Sequence, residues 1–154
     1  MRIIDTPMSE AFSFDWQMAL TNLLRMLLAF ALAFPLAWER VKSERNLGLR
    51  TFPIVAVASC GYMLIALHMA GSHAETMTRA LQGLLGGMGF IGGGAILKSN
   101  GSVRGLATAA SLWSTGAIGA AVAFRREEIA VVLAIANFAL LRWLKPLKRA
   151  EEEK

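Results

Sequence analysis

Acidic residues are scarce where a membrane ion path would need them. The chain has eleven: Asp5, Glu10, Asp15, Glu39, Glu44, Glu75, Glu127, Glu128 and the Glu151, Glu152, Glu153 run. None lies deep within a long apolar run. Mg²⁺ and Ca²⁺ favour oxygen ligands, usually with carboxylates among them, so a divalent-cation path through these runs would be unusual. Proton-relay pumps draw on buried acids or histidines. The two histidines, His68 and His73, stand at and just beyond the end of one run, and two histidines alone make no metal site. The single cysteine, Cys60, excludes a disulfide within the chain. Inside an apolar run it reads as a small packing residue. There is no Ser/His/Asp arrangement, Walker lysine or paired-acid spacing. The sequence therefore reads as no enzyme, with no cofactor and no bound metal.

Charge is sparse overall. Charged residues make up 18% of the 154 and hydrophobic residues 55%, against roughly 25% charged in soluble domains. Mean hydropathy is +0.49. A single soluble core in so short a chain cannot hide that much apolar surface, whereas a bilayer can take it up. The net charge of +5 does not point to nucleic acid. The basic residues lie in short links between apolar runs, and aromatics do not interleave with them as on a base-stacking platform. Such links read as topology signals beside anionic headgroups.

Five runs approach the roughly 20 apolar residues that a spanning helix needs. They cover about 17–38, 52–70, 81–97, 106–124 and 129–144. The expected fold is an all-α integral membrane bundle of about five transmembrane helices, one domain over 1–154. The third and fifth runs are short enough to be weakly tilted or partly re-entrant. Trp16 and Trp38 flank the first run, and Trp143 lies near the end of the fifth, as interfacial anchors do. The acidic N-terminal segment is the wrong sign for a signal peptide. Eleven Lys and Arg residues fall on the side holding 39–51, 98–105 and the C-terminal tail, and four (Arg2, Arg79, Arg125, Arg126) on the other. The positive-inside rule then puts the N-terminus outside and the C-terminus in the cytoplasm.

The sixteenth basic residue, Arg25, lies within the first run. At 1.5 Å per residue it is about 13 Å past Trp16, where a guanidinium costs at least ~2.5 kcal/mol. It should face the bundle, with Thr21 and Asn22 beside it at i−4 and i−3. Two readings stand: a fixed positive charge in a polar cavity, or a structural arginine that bonds carbonyls or snorkels outward. Glu39 follows on the same helix face, ~21 Å further along the axis, and with Arg40 closes the first run at the interface.

The third run contains Gly87-x-Gly89-x-x-Gly92, formally a dinucleotide fingerprint. It has no preceding strand and lies inside an apolar run, so that reading is discarded. Gly83/Gly87 and Gly89/Gly93 form small-xxx-small pairs instead. These suit a crowded helix seam or, alternatively, an unwound segment lining a cavity. In the fourth run Thr108, Ser111 and Thr115 recur at helical spacing, next to Ser114, Gly116 and Gly119. Such hydroxyls bond neighbouring helices or line a wet path. Ser102 is a plausible N-cap after an Asn100-Gly101 turn. Asn137 is placed for an interhelical bond.

Four blocks, in order, carry a resemblance. They are Arg25-Met-Leu-Leu-Ala-Phe-Ala-Leu running on to Glu39-Arg40; Gly48-Leu-Arg50-Thr51; Gly87-Met-Gly89-Phe-Ile-Gly92-Gly-Gly94; and Ser102-Val-Arg104-Gly-Leu-x-Thr108-Ala-Ala-Ser111-Leu-Trp113. Together the chain resembles the membrane domain of the MgtC/SapB family of bacterial inner-membrane proteins. Phe52, Ala33 and Ala37 depart from the family pattern, and Gln82 stands for a glutamine usually placed further on. The soluble C-terminal domain of larger members is not expected here. The resemblance implies a multi-pass inner-membrane protein linked to magnesium limitation, stress adaptation or virulence. It also implies action through other membrane proteins, such as ATP synthase or cation transporters. A homodimer or larger homo-oligomer is expected. The rival is a homo-oligomeric permease or channel. The residues singled out are Asn22, Arg25, Glu39, Arg50, Gly87, Gly89, Gly92, Arg104, Thr108, Ser111 and Trp113. Arg50 and Arg104, on one side of the membrane, form an anion or headgroup site near Glu39 or simply mark orientation.

Overall fold

The computed structural model describes residues 14–43, 48–71, 73–99 and 102–143. Among these it has five helices, α1 (Trp16–Ser43), α2 (Thr51–Ala70), α3 (Ala74–Gly94), α4 (Leu106–Ala123) and α5 (Glu127–Trp143). Two short strands, β1 (Leu97–Ser99) and β2 (Ser102–Arg104), join α3 to α4. The helices run up and down. The α1 start, the α2–α3 link and the α4–α5 turn share one end of the bundle, called here the Trp16 end. The α1–α2 link, the hairpin and the last turn of α5 share the other, the Glu39 end.

The long helices follow from unbroken apolar composition. Those of α1 (over Trp16–Val41), α2 and α4 are long and apolar enough to cross a membrane. Asp15 starts α1: its Oδ1 accepts the Gln17 and Met18 backbone N–H groups at 2.9 and 3.0 Å, which answers two of the first-turn donors. Pro35 sits inside α1 and leaves the Ala31 carbonyl without its usual i+4 donor. Pro53 is harmless in the first turn of α2, where N–H groups have no intrahelical partner.

The third helix departs from its expected bounds at both ends. It begins at Ala74 rather than near residue 81 because the polar stretch is itself helical. Arg79 pairs with Glu75 one turn earlier, at 2.7 Å, and Thr78 Oγ1 donates to the Ala74 carbonyl at 3.0 Å. It ends at Gly94 rather than Leu97, after three consecutive glycines with little helix propensity. Leu97 instead enters the hairpin, where Leu97, Lys98 and Ser99 face Arg104, Val103 and Ser102. The expected all-α fold therefore gains a small two-stranded ribbon. Asn100 and Gly101, read as a turn, lie outside the described residues, as do the N-terminal segment and the C-terminal tail. Ser102 is a strand residue and does not cap α4. Gly105 takes that position with φ of +88°, and a Cβ there would run into the Ala95 carbonyl oxygen.

The core centres on α4, which touches all four other helices. Most of its inward positions are small or hydroxylated: Thr108, Ala109, Ser111, Thr115, Gly116, Gly119, Ala120 and Ala123 are buried, together with the larger Leu112, Ile118 and Val122. Ala29, Ala33 and Ala37 of α1, Ala56, Ser59 and Cys60 of α2, and Ala130 and Ala134 of α5 pack around it. Small side chains let helix backbones approach closely in lipid, where dispersion and not water exclusion holds helices together. The closest approach is at Gly119, where a Cβ would run into the Ala56 carbonyl oxygen and come 3.0 Å from the Cys60 nitrogen. Cys60 is buried there as a packing residue. Many large apolar residues point outward: Leu20, Leu24, Leu27, Ile54, Ile65, Phe90, Val132 and Ile135 are exposed. That inversion suits a molecule whose solvent is hydrocarbon.

Candidate functional site

On α1 the inward stripe runs Arg25, Ala29, Leu32, Leu36, Glu39, at alternating intervals of four and three. Ala29, Leu36 and Glu39 are buried, and Arg25 and Leu32 partly so. A charge therefore sits on the bundle-facing stripe at each end of the apolar stretch. These two charges belong to different places.

At the Trp16 end, Arg25 lines a groove of about 760 Å³ between α1 and α2. Asp15, Gln17, Thr21 and Asn22 from α1 and its entry, and His68 from α2, supply its polar wall. Met18, Met26, Leu64, Ile65 and Leu67 supply its apolar wall. Thr21 Oγ1 is committed to the Gln17 carbonyl at 2.9 Å. Among the described residues the Arg25 guanidinium makes no ion pair or hydrogen bond. The i−3 and i−4 placement of Asn22 and Thr21 is as the sequence spacing indicates.

At the Glu39 end, Glu39 is 5% exposed and its Oε2 meets Nη1 of Arg142 at 3.6 Å, tying α1 to the last turn of α5. Arg40 is buried beside it. Gly48 packs against this corner, a Cβ there lying 3.0 Å from the Ala37 carbonyl oxygen. Arg50 precedes α2 and Arg104 precedes α4. Both lie at this end as expected and both are exposed. One partner of Glu39 is Arg142, which from the sequence alone is only a topology charge. Nothing in the spacing of the two, a hundred residues apart, could have paired them.

The glycines of α3 occupy a different place from the expected seam. Beside Gly83, Gly86, Gly87, Gly89, Gly93 and Gly94, a Cβ would meet nothing within 4 Å. Only Gly92 among the α3 glycines packs inside the protomer, where a Cβ would lie 3.4 Å from the Ala109 carbonyl oxygen. The remaining glycines lie along the outward side of α3, and Gly83 and Gly87 border an α2–α3 groove of about 460 Å³. The helix is unbroken from Ala74 to Gly94, so no unwound segment lines a cavity.

The hydroxyl stripe on α4 is spent internally. Ser111 Oγ donates to the Ala107 carbonyl at 2.6 Å and Thr115 Oγ1 to the Ser111 carbonyl at 2.7 Å. Thr108 is buried with them. The interhelical bond comes from Ser114, which accepts from Nδ2 of Asn137 on α5. Trp113, on the same helix, is 48% exposed and points away from the core.

Residues 26–150 match the family model described as the MgtC family. The chain belongs to the MgtC family. Members are membrane proteins, in keeping with the three long apolar helices here. Among the relatives, the protein MgtC of Brucella abortus is 37% identical over 117 residues, 74% of this chain and 48% of its own length. The protein SrpB of Synechococcus elongatus is 30% identical over 137 residues, covering 81% of this chain and 75% of SrpB. The protein SapB of Bacillus subtilis is 31% identical over 131 residues, 79% of this chain and 56% of SapB. This MgtC-family chain spans about half the length of the Brucella relative. No solved structure matches it. The family match begins one residue after Arg25, so the case for that residue rests on the groove itself.

Proposed function

We propose that this MgtC-family protein is a small multi-pass regulator of the bacterial inner membrane that acts by lateral association with itself or other membrane proteins. The observation that carries this reading is the row of α3 glycines with open space beside it. Glycines on the outward side of a membrane helix let another backbone come close, here beside the exposed Phe90, and within the protomer the glycines of α4 already meet that need. The names of the Brucella and Bacillus relatives favour the role that the resemblance implies, in magnesium homeostasis, stress adaptation or virulence. Cation transporters and ATP synthase are the partner classes to test first. The N-terminus lies outside and the C-terminus in the cytoplasm, on the distribution of Lys and Arg.

The rival permease draws support from the Arg25 groove, whose positive charge would favour an anionic or neutral solute. Against it, the α4 hydroxyls that would continue a wet path are buried and bonded to their own helix. Purified protein in liposomes separates the two. The regulator gives no solute flux above protein-free vesicles, and in cells it co-purifies with a membrane partner. Flux that Arg25→Ala abolishes while the protein stays folded would defeat it.

A further inference from the structure

The groove at the Trp16 end presents a charge that makes no ion pair among the described residues. Arg25 carries five N–H donors and no acceptor, and it makes no ion pair or hydrogen bond among the described residues. A guanidinium within a span is costly unless something answers it. Side chains on α1 lean toward the helix N-terminus, the direction in which Asn22 and Thr21 lie. The groove it enters mixes two characters, polar at Gln17, Thr21, Asn22 and His68 and apolar at Met18, Met26, Leu64, Ile65 and Leu67. Polar and apolar groups in one groove suit an amphiphile.

We propose that this groove holds a phospholipid of the leaflet at the Trp16 end. The phosphate ester lies on the Arg25 guanidinium and one acyl chain along the methionine and leucine wall. A planar guanidinium matches two phosphate oxygens at once. Asn22 and His68 line the same wall and supply further donors. Asp15 stands at the mouth, one oxygen already accepting the two first-turn N–H groups. Its negative charge opposes entry of a free phosphate ion from water and leaves lateral entry from the bilayer unhindered. The volume, about 760 Å³, lies within the roughly 300–1,000 Å³ of small-ligand sites. This site is on α1 and α2 and does not depend on the α3 reading.

The test is native mass spectrometry of the whole protein released from detergent, titrated with phosphatidylethanolamine. That lipid carries a phosphate but no net charge, so binding reports the phosphate and not bulk attraction. Wild type should retain one lipid, and Arg25→Gln should weaken retention about tenfold, the size expected for lost hydrogen bonds to a charged group. A galactosyl diacylglycerol with the same acyl chains, which lacks the phosphate, should not be retained by wild type; this arm needs no variant to fold. Equal retention by Arg25→Gln, or of the galactolipid, would overturn the proposal. Displacement of the lipid by millimolar inorganic phosphate would also overturn it, by making the site one for a soluble anion.

Discussion

Glycine carries different burdens at different positions in this chain. Gly119 and Gly105 face backbone oxygen, one across the α2–α4 contact and one at the entry to α4, and Gly105 also has a φ of +88°. Gly89 faces open space. Adding a side chain should therefore have different outcomes at these positions. Gly119→Ala and Gly105→Ala should each destabilise the protomer by about 2–3 kcal/mol, the scale of overpacking and of a side chain forced into left-handed backbone. Unfolding in mixed micelles measures this. Gly89→Leu should leave the same unfolding curve unchanged or slightly more stable, since leucine is the better helix former by up to ~1 kcal/mol. Sequence pattern located all of these glycines but gave the seam to α3. Small-xxx-small spacing marks a face that can approach another helix, and it does not say whether that helix belongs to the same chain. Arg25 was legible, because an arginine in an apolar run stands out, and so were its neighbours, since i−3 and i−4 follow from helix geometry. Its groove was not, because the α2 wall is distant in sequence.

At the scale of elements, the apolar runs match α2 and α4 to within a residue and α5 within two residues at its start, but they stop α1 at 38, whereas the helix carries on through the polar residues to Ser43. They misplaced α3 because Glu75 and Arg79 read as loop charges, whereas an i,i+4 pair continues the helix. The hairpin was missed because two three-residue strands carry no usable period. Asn137 shows an element-scale contact that the sequence did anticipate. Its bond to Ser114 ties α5 to the central helix, and Asn137→Leu should cost about 0.6 kcal/mol, and no more than ~1.7, by the range measured for such bonds in membranes. The same unfolding assay checks it, and Ser114→Ala in the Asn137→Leu background should add almost nothing.

The described part of the molecule is a bundle with many large apolar residues outside, small ones dominating the inside, and every charge but Arg25 near one of two ends. Arg50, Lys98, Arg104 and Arg142 gather at the Glu39 end. Arg79, Arg125 and Arg126 at the Trp16 end have Glu75, Glu127 and Glu128 among them, with ion pairs at 2.7 Å for Arg79–Glu75 and 3.7 Å for Arg126–Glu128. Cysteines placed at Arg104 and Glu127 in a Cys60→Ala background should react with an impermeant thiol reagent from opposite sides. In intact cells with a permeable outer envelope, Glu127→Cys should label and Arg104→Cys should label only after the inner membrane is opened.

The proposed function depends most heavily on the outward glycines of α3 serving as an association surface. Energy transfer between donor- and acceptor-labelled copies, reconstituted with and without a candidate partner over a range of protein-to-lipid ratios, tests it directly. Wild type should show dilution-dependent association with its own copies or with the partner, and Gly89→Leu should weaken it about tenfold while Gly89→Leu protomers stay folded. Association that is unchanged in Gly89→Leu, or absent from wild type at every ratio and with every partner, would contradict the account.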